Sequence, residues 1–284
     1  MKRYYKIAET EICIEADDRA ALSAGRELSL FACSPSEKAL RCDIEITDFF
    51  PPPEGEQIVR LPTLAEYRLD GAVIRYIGPL SESVENAAIR TEYRDNRIGI
   101  LLDSRVYSEI RDSVLLDAIG AERLVIKGGG VILHASYIEY GGEAILFTAP
   151  SGTGKSTQAE LWRSLRGAEV INGDRAVIGV RDGRAYAYGL PYSGSSGICL
   201  NRTLPLKAIV YLGQAKENSI ARLCGFEAFR RVWEGCCVNT WDKESTAFAA
   251  DIVGNIISRV PVFYLRCLPE AGAVQLLEKL LFKE

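Results

Sequence analysis

The chain of 284 residues holds one histidine and one methionine. A single imidazole leaves little for a zinc site, because zinc takes several His or Cys ligands. Eight cysteines are present, but none forms a C-x-x-C pair, so the spacing of a zinc ribbon or a dithiol redox motif is missing. The adjacent Cys236-Cys237 reads as buried thiols on a helix, since free cysteine is among the most buried residue types. No stretch approaches the ~20 apolar residues needed to span a bilayer. The opening MKRYYKIAETEICIEADD is broken by charge too early for a secretory apolar core, so a cytoplasmic location is expected, with no membrane partner. There is no excess of positive charge: the formal net charge is −4, which gives no reason to expect a nucleic-acid partner.

What is present suits a folded protein. Hydrophobic residues make up 48% and charged residues 25%, a balance that can bury a full core. The length allows one large domain or two modest ones. The first hundred residues read as β-rich. Ile12 and Ile14 alternate with Glu11, Cys13 and Glu15, and Cys42, Ile44 and Ile46 alternate with charged neighbours. Period-two patterns of this kind predict strands with one wet face. Asp70-Gly71 predicts a hairpin turn, Asp95-Asn96 a weaker one, and Pro51-Pro52-Pro53 a loop. From Ser104 the texture changes: Val106, Ile110, Val114 and Leu115 recur at helical spacing. This places a β-rich N-terminal region at 1–105 and a second domain at 106–284. In that second domain, strands and helices alternate, which predicts an α/β core. VILHASYIEYGGEAILFTAP reads as a hairpin about Gly141-Gly142, and Gly167 as the cap of a helix over 157–165.

The chemistry-bearing stretch is AILFTAPSGTGKSTQAELW, from Ala144 to Trp162. It nearly matches the phosphate-binding pattern G-x-x-x-x-G-K-S/T, with Ala149 where the first glycine is usual. A methyl group there is tolerable if the local φ is negative. An apolar strand precedes the run Ser151, Gly152, Thr153, Gly154, Lys155, Ser156 and Thr157, and a helix follows it, as the motif requires. Glycines let backbone amides turn toward a phosphate, and the helix N-terminus adds free N–H groups and a positive dipole end. Lys155 can reach the β- and γ-phosphates of a bound nucleotide, and the Ser156 hydroxyl can sit on Mg2+.

Around this loop, HASYIEYGGEAILFTAPSGTGKST, EVINGDRAVI, AYGLPYSG and LPLKAIVYL together resemble the catalytic region of HPr kinase/phosphorylase. That family shares its fold with the ATP-dependent phosphoenolpyruvate carboxykinases. The resemblance spans roughly residues 125 to 215, and it extends to the small HPr-kinase-like proteins of Gram-positive bacteria, some relatives of which phosphorylate peptides. It implies a mixed β-sheet P-loop core and ATP-dependent transfer of phosphate to a serine-type hydroxyl of a peptide, protein or small molecule. It also implies ATP and Mg2+ as cofactors; HPr kinases form homo-oligomers, but the surfaces responsible lie outside the matching region, so the resemblance leaves a homo-oligomer open. The β-rich N-terminal region would then recognise the acceptor or a partner. By resemblance, Lys155 binds the transferred phosphate and Ser156 the metal. Asp174, 19 residues on (174 − 155), holds Mg2+, accepts the hydroxyl proton, or both.

The chain departs from the family in two places. Gly173 stands where the family carries the first of two acids, and the Glu-Arg-Gly stretch of true HPr kinases is missing, so the HPr substrate and the phosphorylase activity do not carry over. His134 is the candidate second proton acceptor, because the family has a histidine at the matching position; the bland reading is a hydrogen-bonded core histidine. Arg175 either neutralises phosphate or pairs with a carboxylate. Tyr192, Ser193 and Gly194, within GLPYSGSSG, and Arg202 beyond them are candidates for the acceptor side of the site, or parts of a plain turn. The competing class is a non-catalytic ATP-binding protein that signals to a partner. Carboxykinase chemistry is disfavoured because it needs further metal ligands than one histidine supplies. If the kinase expectation holds, Lys155→Ala abolishes transfer of labelled phosphate from Mg-ATP and leaves the circular dichroism spectrum unchanged. Equal transfer after that change refutes the mechanism.

Overall fold

The computed structural model describes residues 2–16, 26–80, 86–109 and 111–282. Ile110, counted above in a helical pattern, lies outside them, as do Met1, Asp17 and Asp18 of the N-terminal stretch. Contacts divide the chain into two units, Met1–Leu124 and Val125–Glu284.

The first unit is built on β1 (Lys2–Ile7), β2 (Thr10–Ala16), β3 (Leu40–Thr47), β4 (Glu56–Arg60), β5 (Leu64–Leu69), β6 (Ala72–Ile77), β7 (Ile89–Arg94) and β8 (Arg97–Asp103). They form one sheet in the order β1-β2-β3-β8-β7-β6-β5-β4. The pairs β2–β3 and β3–β8 are parallel, and the remaining neighbours are antiparallel. Asp70 and Gly71 turn β5 into β6 with φ of 48° and 76°, the positive values a tight two-residue hairpin needs. The expected wet face of β2 is covered at its centre: Ile12, Cys13 and Ile14 are all buried. A thiol is small and apolar enough to accept this.

The helices of this part are α1 (Arg26–Ser29), α2 (Asp112–Ile119) and α3 (Ala121–Lys127). Beneath α2 lies a buried ionic cluster. Glu66 and Arg75 face each other across β5 and β6 and are 0% and 2% exposed. Arg75 Nε pairs with Glu66 Oε1 at 2.7 Å, its Nη2 with Glu122 Oε1 at 2.8 Å, and its Nη1 donates to the Asp117 carbonyl at 2.9 Å. Arg123 Nη2 meets Glu66 Oε2 at 2.8 Å. Both guanidinium groups lie over the Tyr93 ring, whose hydroxyl donates to the Ala118 carbonyl. One buried and one partly buried cation balance two carboxylates, so none is left uncompensated. The cluster also corrects the expected boundary. Residues 106–124 belong with the β-rich unit, because Arg75 and Tyr93 bond the carbonyls of α2, and no periodicity in the sequence reveals those bonds.

The second unit contains β9 (Gly130–Tyr140), β10 (Glu143–Thr148), α4 (Lys155–Arg166), β11 (Glu169–Asn172), β12 (Arg175–Arg181), β13 (Arg184–Tyr188), β14 (Thr203–Gln214), β15 (Ser219–Leu223), α5 (Gly225–Trp233), α6 (Lys243–Ile257), β16 (Val262–Cys267) and α7 (Ala271–Phe282). The sheet order is β10-β9-β12-β13-β14-β16-β15, with β11 also on β9 and β10 also on β14. Strands β10, β14 and β16 run parallel, and their apolar runs are buried on both faces, as parallel strands require. Leu146, Ile209 and Val262 pack with Ala228 and Val232 of α5 and Ile252 and Ile256 of α6. Phe147, Val210 and Leu265 pack the other way, with Trp162 of α4 and Val274 and Leu277 of α7. Helices thus cover both faces of a mixed sheet. Asp242 caps α6 by accepting from the Ser245 amide at 3.1 Å.

Cys236 and Cys237 do not lie on a helix. They follow the end of α5, where Cys236 bridges Leu133 and the Cys237 amide donates to the Ile132 carbonyl. The segment was free to leave the helix because β9 has an open edge there to satisfy its backbone. No helix among the described residues is long and apolar enough to cross a membrane. Arg75→Ala leaves Glu66 buried against Arg123 alone. It is expected to destabilise the first unit by ~3–5 kcal/mol, read as a lower urea midpoint for the full chain. A change under ~1 kcal/mol would show that the cluster is solvated.

Candidate functional site

Strand β10 ends at Thr148, the chain loops through 149–154, and α4 begins at Lys155. Gly152 and Gly154 have φ of 78° and 121°, a conformation that side chains with a Cβ rarely adopt. An added Cβ at either would touch nothing within 4 Å, so backbone shape and not space demands glycine there. Among the described residues, the non-glycines with positive φ are Ala8, Asp70 and Asp182. Ala149 therefore keeps an ordinary φ, and its methyl group is buried beside Phe147 and Trp162. Alanine at this position fills a core site that glycine would leave empty.

Lys155 is 8% exposed. Its Nζ donates to the carbonyls of Ala149 at 3.0 Å and Pro150 at 3.4 Å, and among the described residues it forms no ion pair. Burial holds the ammonium pKa below the usual lysine value, while the charge of Asp174 pulls it back up. Ser151, Ser156 and Thr157 are exposed, and Thr153 is half-buried.

His134 lies on β9, and Arg175 is its register partner on β12. Three backbone contacts fix it. Its amide donates to the Gly235 carbonyl at 2.8 Å, the Thr148 hydroxyl donates to its carbonyl at 3.0 Å, and the Ala135 amide donates to the Asp174 carbonyl at 3.0 Å. A Cβ on Gly235 would sit 2.5 Å from Thr148 Oγ1, so that approach requires glycine. No local pattern marks Thr148 or Gly235, because their role arises from segments distant in the chain.

The side chains then converge. His134 Nε2 is 3.6 Å from Asp174 Oδ1, and Arg175 Nε is 3.2 Å from Asp174 Oδ2. Arg175 thus pairs with Asp174 itself, and its guanidinium stacks over the Tyr192 ring at 4.4 Å. Burial lowers the His134 pKa, with Lys155 and Arg175 adding repulsion and Asp174 opposing them, so the ring is neutral at pH 7. A neutral imidazole beside a carboxylate can take up a proton. It is half-buried and faces charged groups, which is not the setting of a core histidine.

Loop 193–197 presses on the same turn. A Cβ on Gly173 would lie 2.2 Å from Ser196 Oγ, and one on Gly194 would lie 2.6 Å from Asp174 Cβ. Tyr192 is buried, Ser193 half-buried and Gly194 exposed. Arg202 turns elsewhere, pairing with Glu169 at 3.5 Å on the surface. Asn172 is 0% exposed, and all its amide atoms are engaged within this turn. No group of three or more His, Cys, Asp or Glu that could hold a metal occurs among the described residues.

No family model matches the chain, and no curated protein matches it. Among solved structures, it is similar to the Hpr(Ser) kinase/phosphatase from Coxiella burnetii, at 11% identity and a TM-score of 0.30, over 52% of this chain and 92% of that chain.

Electrostatics at this site predict a single clean titration, since the chain has one imidazole. Its midpoint lies below 6.5, and Lys155→Met moves it upward, both read by NMR of the ring nitrogens. The unfolded chain binds the proton first, so stability falls as pH drops from 6.5 toward the folded value. His134→Gln flattens that part of the stability profile. A midpoint above 6.5 overturns this account.

Proposed function

We propose that the second unit binds a nucleoside triphosphate at loop 149–156 and transfers its terminal phosphate to a hydroxyl acceptor. The observation that carries this reading is Lys155: a buried ammonium held by two carbonyls, in no ion pair among the described residues, beside two glycines with left-handed φ at the start of a helix. A cation that stays charged at reduced hydration is stabilised by an anion, and the free amides of a helix start and a glycine turn favour the same ligand.

The remaining groups suit phosphoryl transfer, which needs positioning and neutralisation more than covalent help. Lys155 would neutralise charge building on the transferred group. Asp174 would accept the hydroxyl proton, or help hold a cation, with the neutral His134 at 3.6 Å as a second proton acceptor. The donor set fits Mg2+, which binds through one or two carboxylates plus substrate phosphates and needs no cage of protein ligands. Asp174 and the exposed Ser156 hydroxyl are the residues that would hold it, and the ion would screen the phosphate charges. Serine-type hydroxyls of a peptide, protein or small molecule are the proposed acceptors. The 192–194 stretch at Asp174 would form the acceptor side, and Arg202 would play a lesser part.

A second reading is a non-catalytic ATP-binding protein, and Gly173 favours it. One carboxylate must serve both metal and proton, and Ser196 Oγ already fills the space where a second acid would start. Asp174→Asn separates the two. With Mg-ATP and free serine or water as acceptor, the kinase reading expects phosphate release to fall by at least ~100-fold, the scale of general-base catalysis. Calorimetry is expected to show ATP still bound. Binding by the wild type with no turnover against any acceptor leaves the non-catalytic reading. No ATP binding at all refutes both.

A further inference from the structure

We infer that Asn172 is the positioning residue of this site: its carboxamide locks the Asp174 turn and the hydroxyl-rich loop into one unit. The inference rests on the reading of Asp174 given above, but its geometry stands by itself. Asn172 Oδ1 accepts from the Asp174 amide at 2.8 Å and the Arg175 amide at 3.0 Å. Asn172 Nδ2 donates to the carbonyls of Leu190 at 2.9 Å and Tyr192 at 2.8 Å. Two amides lie on one side and two carbonyls on the other, so only one orientation of the carboxamide satisfies the site. The side chain is 0% exposed, and buried polar networks that are fully satisfied hold a single geometry.

Among side chains of this length, the carboxamide alone both accepts and donates in pairs. Aspartate and threonine can accept from the turn, but neither also donates twice. Leucine matches the volume and makes none of the bonds. The four bonds join residues 172–175 to residues 190–192, and Gly194 lies against Asp174 from the far end of the same loop. The carboxylate and the proposed acceptor loop therefore move together: a shift of the loop displaces Asp174, and a shift of Asp174 opens the loop. Lys155 and the 149–156 loop hang from β10 and α4 and share no bond with Asn172 among the described residues.

That separation sets the test. Asn172→Leu removes all four bonds. Asn172→Asp keeps the shape and the accepting oxygen, and it serves as the second variant if the leucine protein does not fold. In full-length protein, ATP affinity without Mg2+ is expected to stay within ~2-fold, while the gain in affinity on adding Mg2+ falls about 10–100-fold, the usual cost of losing a residue that orients a ligand. Asn172→Leu in an Asp174→Asn background is expected to cost nothing more, because Asn172 acts through Asp174. Additive losses overturn the inference, since a merely structural residue would give them. Hydrogen exchange supplies a reading without nucleotide. Peptides over 172–175 and 190–197 must lose protection together in Asn172→Leu, and loosening of only one, or of neither, also overturns it. If the wild type shows no Mg2+-dependent ATP affinity, the phosphate-transfer reading fails, and the exchange data still decide the role of Asn172.

Discussion

Strand β9 pairs along one edge with β10 and along the other with β11 and β12, and the candidate site exists because of that double pairing. The first edge delivers Thr148 and the loop that leads to Lys155. The second delivers the turn that carries Asp174 and Arg175. His134 sits between them on β9 itself. Just before the β10 pairing begins, the same edge is taken by the 235–237 segment, whose glycine allows the Thr148 hydroxyl to reach the His134 carbonyl. Backbone hydrogen bonds set these positions to within a fraction of a residue step, so the side chains need little further guidance to meet.

The electrostatics of the cluster are asymmetric in a useful way. Lys155 and Arg175 bring two cations to the place where the Asp174 carboxylate meets both Arg175 and His134. Burial strips Lys155 of part of its hydration, and among the described residues no carboxylate pairs with it directly; Asp174 acts on it only through its charge. Such a site is poised for an anion, and an anion bound there would relieve the desolvation that lowers the lysine pKa. Arg175 is held by its stacking on Tyr192 as well as by Asp174, so its charge stays at the site when the carboxylate takes another partner.

Position 173 shows how packing and chemistry constrain one another. The family that the sequence resembles carries an acid there, and this chain has glycine. The glycine gives Ser196 its place, and the turn beside it is held by the Asn172 carboxamide. The hydroxyl-rich loop can approach the Asp174 turn closely only because no side chain grows from Gly173 or Gly194. A side chain at 173 and this close approach of the loop exclude one another.

Much of the second unit was legible in the sequence because its signals are local. The 2.0 and 3.6 residue periods, the Gly141-Gly142 turn, the Gly167 cap and the glycine-lysine loop all act over a few residues, and the corresponding strands, hairpin and helices are where those signals put them. The first unit's hairpins were legible for the same reason. What the sequence could not show is set by contacts between distant residues. The end of the first unit at Leu124 depends on Arg75 and Tyr93 reaching the carbonyls of α2. The place of Cys236 depends on an open edge of β9. Arg175 turns to its own neighbour Asp174, Arg202 turns away, and Asn172 becomes a four-way brace, all because β11, β12 and the 190–197 loop fold onto one another. Local pattern determined which elements form and where the glycine-lysine loop lies between strand and helix. Only the tertiary structure decided which charged groups share that loop's surroundings, because strand register, and not sequence spacing, sets the distances between them.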